Sequence, residues 1–157
     1  MIASFDIGEV NFAYCIGTLE RIHVLKHVNI KKRTRQTVVE SCCAISAILE
    51  QENFSECTKV IIEQQIMANS RAQRLGQHVW TWFSILHPRL MPEFVSSSIK
   101  TNRNLTYRQR KQEAVKSLRT VLEERGDTER LAYINSLPKQ DDVADAYVQL
   151  VAFIQRK

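Results

Sequence analysis

The first thirty residues constrain the fold more than any other part of the chain. Apolar and polar residues alternate through much of this stretch, which is rich in Ile, Val, Phe and Tyr. A period of two is typical of half-buried strands. Turn-forming residues interrupt the pattern at Gly8-Glu9 and again from Gly17 to Glu20. The opening therefore predicts three consecutive antiparallel strands joined by short turns.

The remaining chain mixes helical periodicity with two short β-branched or aromatic runs, and the pattern of Asp127 to Leu137 is ambiguous. We expect an α/β domain over residues 1–157 whose mixed sheet has three antiparallel strands followed by two parallel ones. The predicted strands are 58–65 and Glu93–Ser97, and the predicted flanking helices run from a Thr34 cap to about Glu52, from Arg71 to Leu86, from about Thr106 to Glu124, and onwards from Pro138.

Bulk composition limits the function classes. The 157 residues suit one domain, and no apolar run reaches the roughly 20 residues of a membrane span. No basic stretch followed by an apolar core opens the chain, so we expect a soluble protein without an export signal. The four cysteines lack zinc-ligand spacing. Reduced thiols in an intracellular compartment are the expectation.

Positive charge is concentrated in the middle of the chain. The whole sequence has a net charge of +5. Residues 71–119 contain ten bases and two acids, a local charge of +8. Solvated helix faces also carry Lys and Arg, but a basic segment of this kind is typical of nucleic-acid binders. The ten bases are Arg71, Arg74, Arg89, Lys100, Arg103, Arg108, Arg110, Lys111, Lys116 and Arg119.

Four carboxylates stand where ordinary structural roles explain them poorly. Asp142 and Asp145 are three residues apart and share one face of a mostly apolar final helix. Glu63 directly follows the apolar run Val60–Ile62, and Asp6 lies near the end of the first strand. Acids do stabilise helix N-termini and initiate turns. A buried carboxylate, however, needs a proton, a hydrogen-bond donor or a cation.

A shared metal site would explain all four acids together. Carboxylates gathered at one sheet edge raise one another's pKa values unless a cation neutralises them. Oxygen ligands without Cys or well-spaced His suit Mg²⁺ or Mn²⁺, and a pair of such ions can promote phosphodiester hydrolysis. Combined with the basic segment, the pattern favours a nuclease with two divalent ions per active site.

Three stretches resemble the acidic motifs of the RuvC-type Holliday junction resolvases, within the RNase H-like superfamily. They are FDIGEVNFAYC, VIIEQQ followed by Arg71, and KQDDVADA. Their order and spacing are most similar to those of the poxvirus resolvases, and the resemblance spans nearly the whole chain. It implies an RNase H-like fold and a structure-selective endodeoxyribonuclease. Such an enzyme resolves four-way DNA junctions by paired symmetric nicks, in recombination and in the resolution of replication intermediates.

The resemblance also implies residue roles. Asp6 would bridge the two ions, Asn11 would support the ligands, and Lys111 is the best match to a lysine near the scissile phosphate, with Lys116 second. Lys139 could reach a phosphate from the helix N-terminus or be a solvated lysine. The implied metal ligands are Asp6, Glu63, Asp142 and Asp145, which with Lys111 form the catalytic set. The expected DNA contacts are Gln65, Arg71, Arg74, Arg108, Arg110, Lys116 and Lys139.

Symmetric cutting of a four-way junction needs two equivalent active sites, which a homodimer supplies. The apolar residues of the second helix are either a dimer face or ordinary core packing; they are Val79, Trp80, Trp82, Phe83 and Leu86. Likeness to poxvirus proteins would place the chain in cytoplasmic replication sites of an infected cell, without a membrane partner.

Other functions remain open at this stage. A nuclease of the same fold and chemistry could act on RNA/DNA hybrids or flaps. A module that binds branched DNA without cutting it would use the acids structurally. A kinase or ATPase of the actin-like type is disfavoured, because the chain is too short for two lobes and lacks a second Gly-rich phosphate loop.

Overall fold

A computed structural model describes residues 1–100 and 105–156. Within these ranges no helix is long and apolar enough to cross a bilayer. Two short 3₁₀ turns, Pro88–Leu90 and Ser97–Lys100, flank the last strand. The strands are β1 (Ile2–Ile7), β2 (Asn11–Gly17), β3 (Ile22–Asn29), β4 (Lys59–Gln64) and β5 (Glu93–Ser96), and the helices are α1 (Val38–Leu49), α2 (Ser70–Leu86), α3 (Tyr107–Glu124), α4 (Thr128–Ser136) and α5 (Asp141–Gln155).

The five strands form one mixed sheet in the order β3-β2-β1-β4-β5. β1, β2 and β3 pair antiparallel, whereas β1 with β4 and β4 with β5 pair parallel, which confirms the predicted mixed sheet. Phe5 of β1 lies opposite Ile62 of β4. The next residue of each strand is an acid. Parallel pairing therefore brings Asp6 and Glu63 to the same edge of the sheet.

Helices cover the two faces of the sheet separately. Phe5 belongs to a core shared with α1 and α2, whereas Ile61 belongs to a second core shared with α3, α4 and α5. Side chains alternate along a strand, so Ser4 and Asp6 share the face that α5 covers. Gln149 of α5 donates to Ser4 Oγ at 3.1 Å and to the Phe5 carbonyl at 3.3 Å. These bonds fix α5 beneath β1.

Two local features differ from the sequence expectation. The predicted Thr34 cap of α1 is wrong, because Thr37 accepts from Glu40 N while the Glu40 side chain accepts from Thr37 N. This reciprocal capping box is more stabilising than a single cap. The ambiguous segment forms α4, capped by Asp127 after Gly126, whose φ of 64° ends α3.

The apolar face of α2 serves mainly the core of the protomer. Val79 and Phe83 are buried, and Trp80 and Trp82 pack against the same core. Leu86 alone of the five predicted residues is well exposed. Core packing therefore accounts for most of this face.

Replacing Gly17 by Ala tests the close approach at the β2–β3 turn. An added Cβ would lie 2.5 Å from the Arg21 carbonyl oxygen, which is too close for a normal contact. We expect Gly17→Ala to lower the free energy of unfolding by about 1–3 kcal/mol, measured by urea denaturation. Gly126→Asn is the control, because Asn tolerates the left-handed backbone and nothing lies within 4 Å. Equal stability of the two variants would contradict this account.

Candidate active site

Asp6 lies at the centre of the candidate site. It is the penultimate residue of β1, on the face covered by α5, and is mostly buried. Burial and then the negative charge of Glu63 raise its pKa well above the usual value, with a smaller contribution from Asp145, although Lys100 and Lys111 act in the opposite direction. Among the described residues, no side chain forms a hydrogen bond or ion pair with the Asp6 carboxylate. Within residues 1–100 and 105–156, Asp6 is thus a carboxylate without a direct side-chain partner.

Glu63 is paired with a lysine from the chain segment after β5. Lys100 ends the 3₁₀ turn that follows β5, and its Nζ lies 2.7 Å from Glu63 Oε2. Both side chains are mostly buried, at 11% and 14% exposure. Burial alone would lower the pKa of Lys100, but the charges of Asp6, Glu63 and Asp145 outweigh it and raise that pKa. Lys100 is therefore held as a cation beside two acids of the site.

Asp145 is paired with a lysine from α3. Lys111 Nζ donates to Asp145 Oδ2 and lies 3.0 Å from Asp141 Oδ2. Burial opposes the charged form of Lys111, but the two aspartates outweigh burial and raise the pKa of Lys111. The structure thus places Lys111, the lysine predicted to be catalytic, directly against a predicted metal ligand.

Asp142 is the most extensively hydrogen-bonded of the four acids. Asn11 Nδ2 donates to Asp142 Oδ2 at 2.9 Å, and His27 Nε2 lies 3.3 Å from the same oxygen. Lys139 Nζ contacts Asp142 Oδ1 at 2.8 Å. Asn11 therefore contacts a predicted metal ligand, and Lys139 contacts the other oxygen of the same carboxylate.

The four acids line two openings, two acids to each. A cavity of about 740 Å³ is lined by Glu63 and Asp145. A second pocket of about 530 Å³ is lined by Asp6 and Asp142. Because the charges of Glu63 and Asp145 also act on Asp6, the sequence-predicted carboxylates converge on one region of the sheet edge.

The donor chemistry of this region fits a divalent cation. Its acids offer carboxylate oxygens, the ligands that Mg²⁺ and Mn²⁺ prefer, and Asp6 has no competing direct partner among the described side chains. Within residues 1–100 and 105–156, however, no three Asp, Glu, His or Cys side chains are arranged closely enough to hold an ion. Glu63 and Asp145 are oriented towards lysines instead. The metal-ligand roles therefore stay predictions.

Five of the seven predicted DNA contacts are exposed, and two are partly buried. Arg71 donates to the Gln36 carbonyl at 2.8 Å and to Ser41 Oγ at 3.1 Å, so it ties α2 to the start of α1. Gln65 is half-buried, with its carbonyl 3.4 Å from Gln73 Nε2. Arg103 of the basic segment lies outside the described residues. The exposed members are Arg74, Arg108, Arg110, Lys116 and Lys139.

Two residues of the site were missed by sequence reasoning. Lys100 was counted only as one of many bases, and the histidines, His27 included, gave no pattern. Neither residue is near its carboxylate partner in sequence, since Lys100 and Glu63 are 37 residues apart and His27 and Asp142 are 115 apart. The one sequence signal available for Lys100 was its position as the first basic residue after the last strand.

Comparison with known proteins decides the family. The sequence matches the family described as Poxvirus A22 protein over residues 1–156. The chain belongs to this family of viral resolvases. The resemblance stated from the three acidic motifs is thereby confirmed.

Two individual proteins are similar over nearly their whole length. The fowlpox virus resolvase, solved in complex with its substrate Holliday junction DNA, matches with a TM-score of 0.69. It is 16% identical, with 100% of both chains covered, and it confirms the predicted RNase H-like fold. Uncharacterized protein 170L of Invertebrate iridescent virus 6 is 24% identical over 221 residues, covering 97% of this chain and 87% of the relative.

Replacing Lys100 by Met tests whether this buried lysine balances the acids. Loss of one partner leaves Glu63 unpaired, so the free energy of unfolding should fall by about 3 kcal/mol, measured by thermal and urea denaturation. Lys116→Met, at an exposed position without an ion pair among the described residues, should change it by less than about 0.5 kcal/mol. The double variant Glu63→Gln/Lys100→Met should recover part of the loss. Wild-type stability of Lys100→Met would refute the pairing argument.

Proposed function

We propose that the protein is a metal-dependent, structure-selective endonuclease that resolves four-way DNA junctions by paired symmetric nicks. It would act in recombination and in the resolution of replication intermediates. The observation that carries the proposal is the Asp6 carboxylate, which has no direct partner among the described side chains. It lines one opening with Asp142 and feels the charges of Glu63 and Asp145, which line the other. Membership of a viral resolvase family and likeness to a resolvase solved with Holliday junction DNA support it.

The metal requirement follows from the family and the donor set. A resolvase nuclease family implies dependence on a divalent ion, and we assign Mg²⁺ or Mn²⁺, two ions per site. Asp6, Glu63, Asp142 and Asp145 would be the ligands. Bound ions would assist attack of water on the phosphodiester and stabilise the leaving oxygen.

The lysines of the site have a separate task. Lys111 orients the Asp145 carboxylate, and Lys100 orients Glu63. Their charges also reduce the negative potential that would otherwise repel a phosphate from a cluster of acids. Both lysines line the cavity of about 740 Å³, and Lys111 is the better candidate for direct contact with the scissile phosphate because its side chain is more exposed, at 22% against 11% for Lys100.

Binding of the DNA backbone is assigned to the exposed bases around the cavity. Arg108, Arg110 and Lys116 follow one another along α3, and none of them forms an ion pair with another described residue. Arg74 and Gln65 lie on the other side of β4, at α2 and its preceding loop. Phosphate contacts of this kind position a duplex without reading its sequence.

We assign the assembly as a homodimer of single nuclease domains spanning residues 1–157. Ile85, Leu86 and Met91 are 70%, 55% and 70% exposed within seven residues of sequence. A cluster of exposed large apolar side chains is typical of an interaction surface, and two-fold symmetry would supply the second active site. The viral family suggests action in cytoplasmic replication sites of an infected cell.

Replacing Asp6 by Asn tests the catalytic proposal. Asn removes the charge but keeps the shape, so the variant should bind a four-way junction with wild-type affinity. It should cut at least about 1,000-fold more slowly, since loss of metal assistance removes several kcal/mol of transition-state stabilisation. An end-labelled junction incubated with Mg²⁺ or chelator and resolved on a denaturing gel provides the measurement. Cutting at the wild-type rate would remove Asp6 from the mechanism.

The same assay separates the alternatives. Wild-type protein should give paired symmetric nicks in a junction faster than it cuts a flap or an RNA/DNA hybrid. Preference for the hybrid would favour an RNase H-like activity on RNA. Tight junction binding without cutting under either metal would favour a binding module.

The dimer is tested by charge at the apolar cluster. Ile85→Glu/Leu86→Glu should convert a dimer to a monomer in sedimentation velocity, because two buried carboxylates would oppose the interface. Leu19→Glu, in the β2–β3 turn, is the control. A wild-type monomer that still cuts both strands in one binding event would contradict the assignment.

A further inference from the structure

We propose that Tyr107 is a nucleobase-stacking residue that holds the base beside the phosphodiester to be cut. The inference rests on the proposed nuclease function and adds a ligand contact to the same site. It assigns a DNA-binding role to an aromatic side chain that is neither in the acidic motifs nor among the ten bases of the basic segment.

Tyr107 is exposed in a chain that otherwise packs its aromatic residues. Its exposure is 69%, and it is the one aromatic residue among the large apolar side chains that the described part of the chain leaves exposed. The others are aliphatic or Met. This exposed ring contributes little to the core, so its face is available to a ligand. Bases offer a π-face of matching size, whatever their sequence.

The position of Tyr107 is fixed by the start of α3. Thr106 caps the helix with a reciprocal box that includes Gln109. Tyr107 is therefore the first helical residue on a rigid segment. Lys111, one turn later, has its Nζ 5.7 Å from the centre of the Tyr107 ring. The ring thus has a cation on one side and solvent on the other.

Tyr107 stands where two openings meet. It lines the cavity of about 740 Å³ that contains Glu63, Lys111 and Asp145. It also lines a groove of about 790 Å³ between α3 and the start of α5, where Lys116 and Lys139 lie. A DNA strand that places one phosphate in the cavity and its next phosphates along the basic groove must pass this ring.

A base is the ligand that fits this arrangement best. The basic side chains of the groove attract phosphates. The Tyr107 ring lies between these side chains and the acids of the cavity. Nucleotides at a branch point are less constrained by stacking than those inside a duplex. One of their bases can therefore lie on an exposed ring. Lys111 would then be enclosed between the base-covered ring and the Asp145 carboxylate.

The test uses four-way junctions that carry 2-aminopurine at single positions flanking the cleavage site. Bound in Ca²⁺ or chelator, wild-type protein should change the fluorescence at one of these positions. Tyr107→Ala should abolish the change and weaken binding by about 5- to 100-fold. Tyr107→Phe should retain both, whereas Tyr107→Leu should behave like Ala. Leu19→Ala, a remote apolar truncation, is the control.

The outcomes separate this inference from the proposed function. Suppose that the wild-type protein cuts junctions and that Tyr107→Ala keeps both the wild-type fluorescence change and the wild-type affinity. That result would overturn the stacking role alone. A slower cutting rate with an unchanged fluorescence signal would also overturn it, because Tyr107 would then act only through Lys111. Wild-type protein that neither cuts nor binds junctions would overturn the proposed function, and the stacking role with it.

Discussion

Pairing of lysines with carboxylates at one sheet edge is the interaction on which the site depends. Parallel pairing of β1 and β4 forces Asp6 and Glu63 together, and α5 adds Asp145 beside them. Three negative charges in a mostly buried place would repel one another strongly. Lys100 lies in the 3₁₀ turn after β5 and Lys111 lies on α3, and both supply the opposing positive charge. The fold therefore tolerates an acidic cluster that a purely apolar surround would exclude.

The parts of this arrangement that are local in sequence could be predicted. Alternating residues define which face of β1 carries Asp6, and the apolar run of β4 places Glu63 at a strand end. The three-residue spacing of Asp142 and Asp145 sets them on one helix face. Strand order needed more than periodicity, because it depends on which strands pair in three dimensions. The order β3-β2-β1-β4-β5 therefore comes from the structure alone.

The parts that depend on tertiary contact could not be predicted. Lys100 belongs to a short 3₁₀ turn whose direction is set by β5, so no sequence period indicates that its side chain reaches Glu63. His27 of β3 contacts Asp142 of α5, which is 115 residues away in sequence. Arg71 matched a family position and nevertheless binds the backbone near α1. Local sequence fixes which elements form, whereas the partners of long polar side chains follow from packing.

Burial divides the basic segment into two functional classes. Lys100 and Lys111 are held by acids, so little of their charge is available to attract a distant polyanion. Arg108, Arg110 and Lys116 are exposed and without ion pairs among the described residues, and their charges extend into solvent. A count of basic residues along the sequence therefore overstates the electrostatic field that steers DNA. The field comes from the exposed class. Its members Arg108, Arg110 and Lys116 lie along α3, beside the cavity where Lys100 and Lys111 balance the acids.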